Sequence, residues 1–118
     1  MSSKPRKWKF RLTHILKAIS SVESYSSGHS YESFRQDEKT VDAVILKLAV
    51  IGEAARHIPP EIQARYPEIP WRKMQGLRNI IVHEYDRINL EVIWNVVQQD
   101  LPPLVPLLMI VYTSEQGE

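Results

Sequence analysis

Between residues 38 and 58, Val41, Val44, Ile45, Leu48, Ile51, Ala55 and Ile58 recur every three or four positions, and Pro59-Pro60 follows at once. That spacing lines one face of an α-helix, and proline denies the preceding residue the helical conformation. A helix of this length with a continuous apolar stripe must bury the stripe against other helices. Gly52, Ala54 and Ala55 are small enough to let another backbone approach closely. The chain has 118 residues, which suits a single domain over 1–118 with a core that needs neither metal nor disulfide. It contains no cysteine. Disulfide scaffolds, thiolate metal sites and cysteine nucleophiles are thereby excluded, and a cytoplasmic home is the expectation.

The rest of the chain repeats the helical spacing. Trp8, Leu12, Ile15, Leu16, Ile19 and Val22 predict an amphipathic helix over 8–26, closed by Ser26-Ser27-Gly28 with Gly28 as a left-handed cap. A short polar stretch then carries Tyr31 and Phe34, expected to tuck onto the core. Residues 60–66 allow one or two turns before Pro67. Pro70 suits the first position of a third long helix bearing Trp71, Met74, Leu77 and Ile81. Asn89 is a good N-cap for a fourth, with Val92, Ile93, Val96 and Val97 expected inside. Pro102-Pro103 and Pro106 must kink or break its continuation, after which Leu104, Leu107, Leu108 and Val111 resume the apolar face. Residues 113–118 read as a frayed polar tail and 1–7 as a flexible basic arm. No alternating run demands a strand. The expected class is all-α, a helix bundle.

Net charge is +1, too balanced for a protein that holds nucleic acid by charge alone. The balance conceals a split. Residues 1–17 carry six basic residues and no acidic one, whereas the remainder carries nine basic and fourteen acidic residues. The basic start reads first as a solubilising arm plus the solvated face of a first helix, and second as an electrostatic contact for an anionic partner. The longest apolar stretches, Ala43–Ile51 and Leu104–Tyr112, are too short or too interrupted to span a bilayer, so no membrane partner is expected.

Most of the reactive groups fall within Arg78-Asn79-Ile80-Ile81-Val82-His83-Glu84-Tyr85. Histidine moves protons near neutral pH, and an arginine fork matches phosphate oxygens. Together they suit phosphodiester cleavage, one moving the proton and the other stabilising developing charge. On a regular helix Asn79 and His83 share a face, but Arg78 and His83 stand about 140° apart. They converge only if the helix ends near His83, if Arg78 reaches around, or if a second subunit completes the site. The same residues also read as ordinary structure: Arg78 in a surface ion pair, His83 capping a helix end, Tyr85 half-buried. His14, His29 and His57 lack the spacing of a metal site, and no glycine-rich phosphate loop exists, so no metal and no cofactor are assigned.

The pattern W-x(5)-L-R-N-x(3)-H-x-Y, running from Trp71 to Tyr85, resembles the signature of the HEPN ribonuclease toxins of the HepT-like family. Supporting matches spread over residues 8–108: His14-Ile15-Leu16 with Ala18-Ile19, Phe34 with Asp42-Ala43-Val44, Ile51-Gly52-Glu53-Ala54, and Trp94 with Asp100-Leu101-Pro102-Pro103-Leu104. Leu77 stands where the family pattern has Met, a matter of packing and not of chemistry. The resemblance implies a HEPN-type four-helix bundle with a short extra helix, homodimeric, with two copies of the motif lining a shared basic cleft. It further implies a metal-independent endoribonuclease in which a 2′-hydroxyl attacks the adjacent phosphate. His83 is then general acid or base, Arg78 stabilises the phosphorane, and Asn79 orients the phosphate or His83. Regulation is implied as well. A small nucleotidyltransferase antitoxin transfers AMP from ATP onto Tyr85, placing an anionic nucleotide beside Arg78 and His83. Glu53, on a largely apolar helix, is expected to pair with Arg78 or another cleft arginine.

The alternative is a non-catalytic helical dimer that binds a nucleotide between Arg78 and His83 and docks a nucleotidyltransferase partner.

Overall fold

The computed structural model describes the backbone of residues 4–115 and the side chains of 8–80 and 86–115. The helices are α1 (Lys4–Ser26), α2 (Tyr31–Gln36), α3 (Glu38–Arg56), α4 (Pro60–Arg65), α5 (Trp71–Glu84), α6 (Leu90–Asn95) and α7 (Leu104–Ser114). A 3-10 turn over Tyr85–Arg87 joins α5 to α6, and a π-helical turn over Val96–Asp100 extends α6. Among the described residues there is no strand, and no helix is long and apolar enough to cross a membrane.

α3 is the central helix, with its largest contacts made to α1 and α5. Its stripe is buried as the spacing predicts, from Val41 through Ala55. Leu12, Ile15, Ile19 and Val22 of α1 are wholly buried against it. Burying each such side chain contributes about 1.5–3 kcal/mol, which makes the α1–α3 contact the main source of cohesion. Gly28 closes α1 at φ +81°, the left-handed conformation expected of it. Three long helices thus form the frame, and two shorter pieces, α6 with its π turn and α7, complete the bundle.

Several local expectations shift. α1 begins at Lys4 and not at Trp8, so part of the basic start is helical. The stretch after Gly28 is itself a helix, closed by a capping box: Ser33 N–H donates to Ser30 Oγ at 3.1 Å and Ser30 N–H to Ser33 Oγ at 3.0 Å. Phe34 is buried there, its ring 5.0 Å from that of the half-buried Trp94. Pro70 precedes α5 instead of opening it, and its carbonyl accepts from Met74 N–H.

Asn89 caps α6 as expected, its side chain accepting from Glu91 and Val92 N–H. Val92, however, is 52% exposed and Val96 only half-buried. The π turn explains this. Its wider winding, with Leu101 N–H donating to Val96 O, turns Ile93, Val97 and Leu101 inward at four-residue intervals.

The chain beyond residue 112 departs most from its polar appearance. α7 continues to Ser114, and Glu115 is buried. Glu115 accepts from Arg65 Nη1 at 2.6 Å and from Tyr66 Oη at 2.6 Å, which ties the end of α7 to α4. Residues 116–118, like 1–3, lie outside the described residues.

Candidate active site

The site begins with a missing side chain. A Cβ placed on Gly52 would lie 2.5 Å from the backbone nitrogen of Arg78 and 3.0 Å from the carbonyl oxygen of Met74. Only glycine lets α3 and α5 approach so closely. The contact fixes Arg78 directly above the residue that follows Gly52.

That residue is Glu53, and three basic side chains meet its carboxylate. Arg78 donates from Nε to Oε1 at 2.9 Å, across the helix contact. Arg56 Nη1 reaches the same oxygen at 3.1 Å, one turn further along α3. His57 Nε2 lies 3.0 Å from Oε2. A carboxylate only accepts, so the His57 proton sits on Nε2. The hydrogen bond from His57, then that from Arg56 and the charges of Arg56 and Arg78, hold the Glu53 carboxyl below the ordinary carboxylate range.

The arrangement orients more than it stabilises. Arg78 and Glu53 are 39% and 42% exposed, so water screens their attraction heavily. Two permanent positive charges and a histidine share one negative charge, and the excess is positive. The Nε contact uses one of five guanidinium donors, and the forked end retains donors for a second acceptor such as a phosphate.

Asn79 is exposed on the next position of α5. The helix runs on through His83 and ends at Glu84, and Tyr85 opens the tighter 3-10 turn. His83 therefore stands in the last turn of its helix, which meets one of the conditions for it to converge with Arg78. The side chains of residues 81–85 lie outside the described residues, and with them the expected contacts of His83 and Tyr85. Beside the end of α5, Ile80, Ile88, Val92 and Ile93 line a cavity of about 190 Å³ with Arg87 and Asn89 at its edge. Leu77, the departure from the family pattern, faces a different and apolar groove with Met74 and Leu107.

Of the residues expected at the site, the structure brings Glu53 and Arg78 together, and Asn79 stands exposed at the next position of α5. Arg56 and His57 were missed. Their signal lay in the Glu53-x-x-Arg56-His57 spacing, which puts both one turn from Glu53. A second polar cluster is structural. His29 Nδ1 lies 2.8 Å from Ser33 Oγ and its Nε2 lies 3.7 Å from Asp37, but the Ser33 hydroxyl is committed to the α2 capping box. Among the described residues no three His, Asp or Glu side chains gather as a metal site would require.

Fold and site together define an all-helical bundle with an Arg-x(4)-His-x-Tyr segment at the end of one helix, its arginine held by an acidic residue of the neighbouring helix. The sequence profile of the family described as ribonuclease HepT-like matches residues 15–111. A protein of Thermococcus cleftensis named "Probable ribonuclease HepT" is 38% identical over 99 residues, covering 84% of this chain and 90% of its own. One of Shewanella oneidensis named "mRNA nuclease HepT" is 30% identical, covering 77% and 85%. No solved structure matches the chain. The chain belongs to the HepT-like ribonuclease family.

Proposed function

We propose that this chain is an RNA endonuclease acting as the toxin of a toxin–antitoxin pair, working as a homodimer in the cytoplasm. The observation that carries the reading is Arg78, held by Glu53 at the Gly52 contact, on the helix that ends one residue past His83. The 2′-hydroxyl of RNA attacks the adjacent phosphorus while a base takes its proton. The bond to the 5′-oxygen breaks, that oxygen receives a proton, and a 2′,3′-cyclic phosphate remains. His83 supplies one of these proton transfers, and Arg78 stabilises the charge of the phosphorane. Asn79, four residues before His83 on the same helix, orients the phosphate or the imidazole. No step requires a metal or cofactor.

Support for the homodimer comes from apolar side chains near the site. Leu46, two turns before Glu53 on the same face of α3, is 58% exposed, and Val92 beside the end of α5 is 52% exposed. A second subunit covering them would bring two motifs together. Tyr85 is the modification site in this reading: AMP placed there by a cognate nucleotidyltransferase antitoxin occupies the phosphate position and repels RNA.

Arg78→Ala and His83→Ala should each lower RNA cleavage by about 10²–10⁴-fold while circular dichroism and oligomer size stay unchanged. Cleavage by both variants at the parent's rate overturns the assignment. A parent that binds nucleotide without cutting RNA favours the non-catalytic reading instead. For Tyr85, intact mass after incubation with the nucleotidyltransferase and ATP should show added AMP that Tyr85→Phe abolishes.

A further inference from the structure

We propose that Arg56 and His57 form a second phosphate subsite, which holds the RNA phosphate next to the one bound at Arg78. The inference rests on the reading of the chain as an RNA-cleaving enzyme, and it extends that site along the strand.

Arg56 and Arg78 reach the same Glu53 oxygen at 3.1 and 2.9 Å, so their donor nitrogens lie within about 6 Å of each other. Two guanidinium groups anchored this close together can present their remaining donors to neighbouring phosphates of one strand. His57 meets the other oxygen of the same carboxylate at 3.0 Å and adds a third donor to the cluster. Glu53 is thus the hub that gathers three half-exposed basic side chains, from α3, its C-cap and α5.

The charge balance permits an anion here. Glu53 offsets one of the two guanidinium charges, and the remaining positive charge stands in the open. Arg56 is 50% exposed and His57 45%, so a polyanion reaches both without displacing any part of the core. A basic residue in the last turn of a helix is common, because it offsets the partial negative charge of the helix end. That accounts for Arg56 near the end of α3 but not for its convergence with Arg78, which comes from another helix.

The test is a cycle between protein and substrate, using the full-length protein. The substrate is a tetranucleotide with one ribose, so that a single bond is cleavable, and the neighbouring linkage is either phosphate or uncharged methylphosphonate. The neutral linkage is placed on each side of the cleaved bond in turn. On one side it should lower the parent's kcat/KM by about three- to tenfold, the range of an exposed charge contact or two. The Arg56→Gln/His57→Gln double variant should show the same loss on the charged substrate and no further loss on the neutral one. Arg56→Lys, which keeps the charge, should restore much of the sensitivity. On longer RNA the double variant should also have a shallower salt dependence, by about 0.7 in log–log slope per lost contact.

Equal sensitivity of parent and double variant to the neutral linkage overturns the subsite. A double variant equally impaired on both substrates but still sensitive to the linkage shows that the pair acts only by positioning Arg78 through Glu53, and overturns it too. A parent indifferent to both neutral linkages does the same. A parent that cuts neither substrate overturns the ribonuclease reading, and the subsite with it.

Discussion

Glu53 and Glu115 are both held below the ordinary carboxylate range, by contrasting means. Glu115 is buried, and its depression comes first from the Tyr66 hydroxyl and then from Arg65, residues about fifty positions away in sequence. It joins the end of α7 to the region after α4 and is itself shut away from solvent. Glu53 is half-exposed, and its partners lie one turn away on its own helix and across the Gly52 contact. It carries more positive charge around it than it can neutralise. One carboxylate closes the fold, and the other prepares a surface. Burial separates the two roles more clearly than hydrogen bonding does, since both are well bonded.

The contrast is tested most severely at Gly52. Gly52→Val drives a side chain into the Arg78 backbone, and overpacking of this kind costs about 2–3 kcal/mol. Both the melting temperature and RNA cleavage should fall, because α5 can relieve the clash only by carrying Arg78 away from Glu53. A variant that melts like the parent and still cuts RNA refutes the close approach.

Glu53→Gln should separate the roles. Its melting temperature should match the parent's, whereas kcat should drop about ten- to hundredfold as Arg78 loses its alignment. A lower melting temperature with intact kcat would reverse the assignment.

Glu115→Ala should do the opposite. It removes the carboxylate that Tyr66 Oη and Arg65 Nη1 donate to, lowering stability by about 1–2 kcal/mol in denaturant unfolding. Cleavage per folded molecule should be unaffected.

The smallest effect is in acid. The Glu115 carboxyl lies below the reference value of 4.5 in the folded state, so its stabilisation is complete above that pH and is lost as pH falls through the folded value, whereas the screened Glu53 adds little. The parent's melting temperature should therefore decline below about pH 4.5, and that of Glu115→Gln less steeply.

What could be read from the chain alone followed the range of the interactions. The α3 stripe, the Gly28 cap and the Asn89 cap are set by residues within a few positions and stand where their spacing puts them, while α3 itself ends at Arg56, two residues short of the expected stop before Pro59. The Glu53–Arg78 pair was legible through the family resemblance, since Gly52-Glu53-Ala54 and Arg78 belong to one pattern. The π turn was not: nothing in Val96–Asp100 marks the wider winding. Glu115 looked like tail because its partners Arg65 and Tyr66 are distant in sequence. Arg56 and His57 become part of a cluster only because Arg78 arrives from α5, distant in sequence, to share their carboxylate.

The most direct measurement of the central claim is cleavage of an oligoribonucleotide in excess chelator, beside the same oligonucleotide with one 2′-deoxy sugar at the cut site. The all-ribose strand should be cut to a 2′,3′-cyclic phosphate seen by mass spectrometry, and the single deoxy sugar should block that cut. Cutting at the deoxy position, or a cut that requires added divalent metal, would contradict the claim.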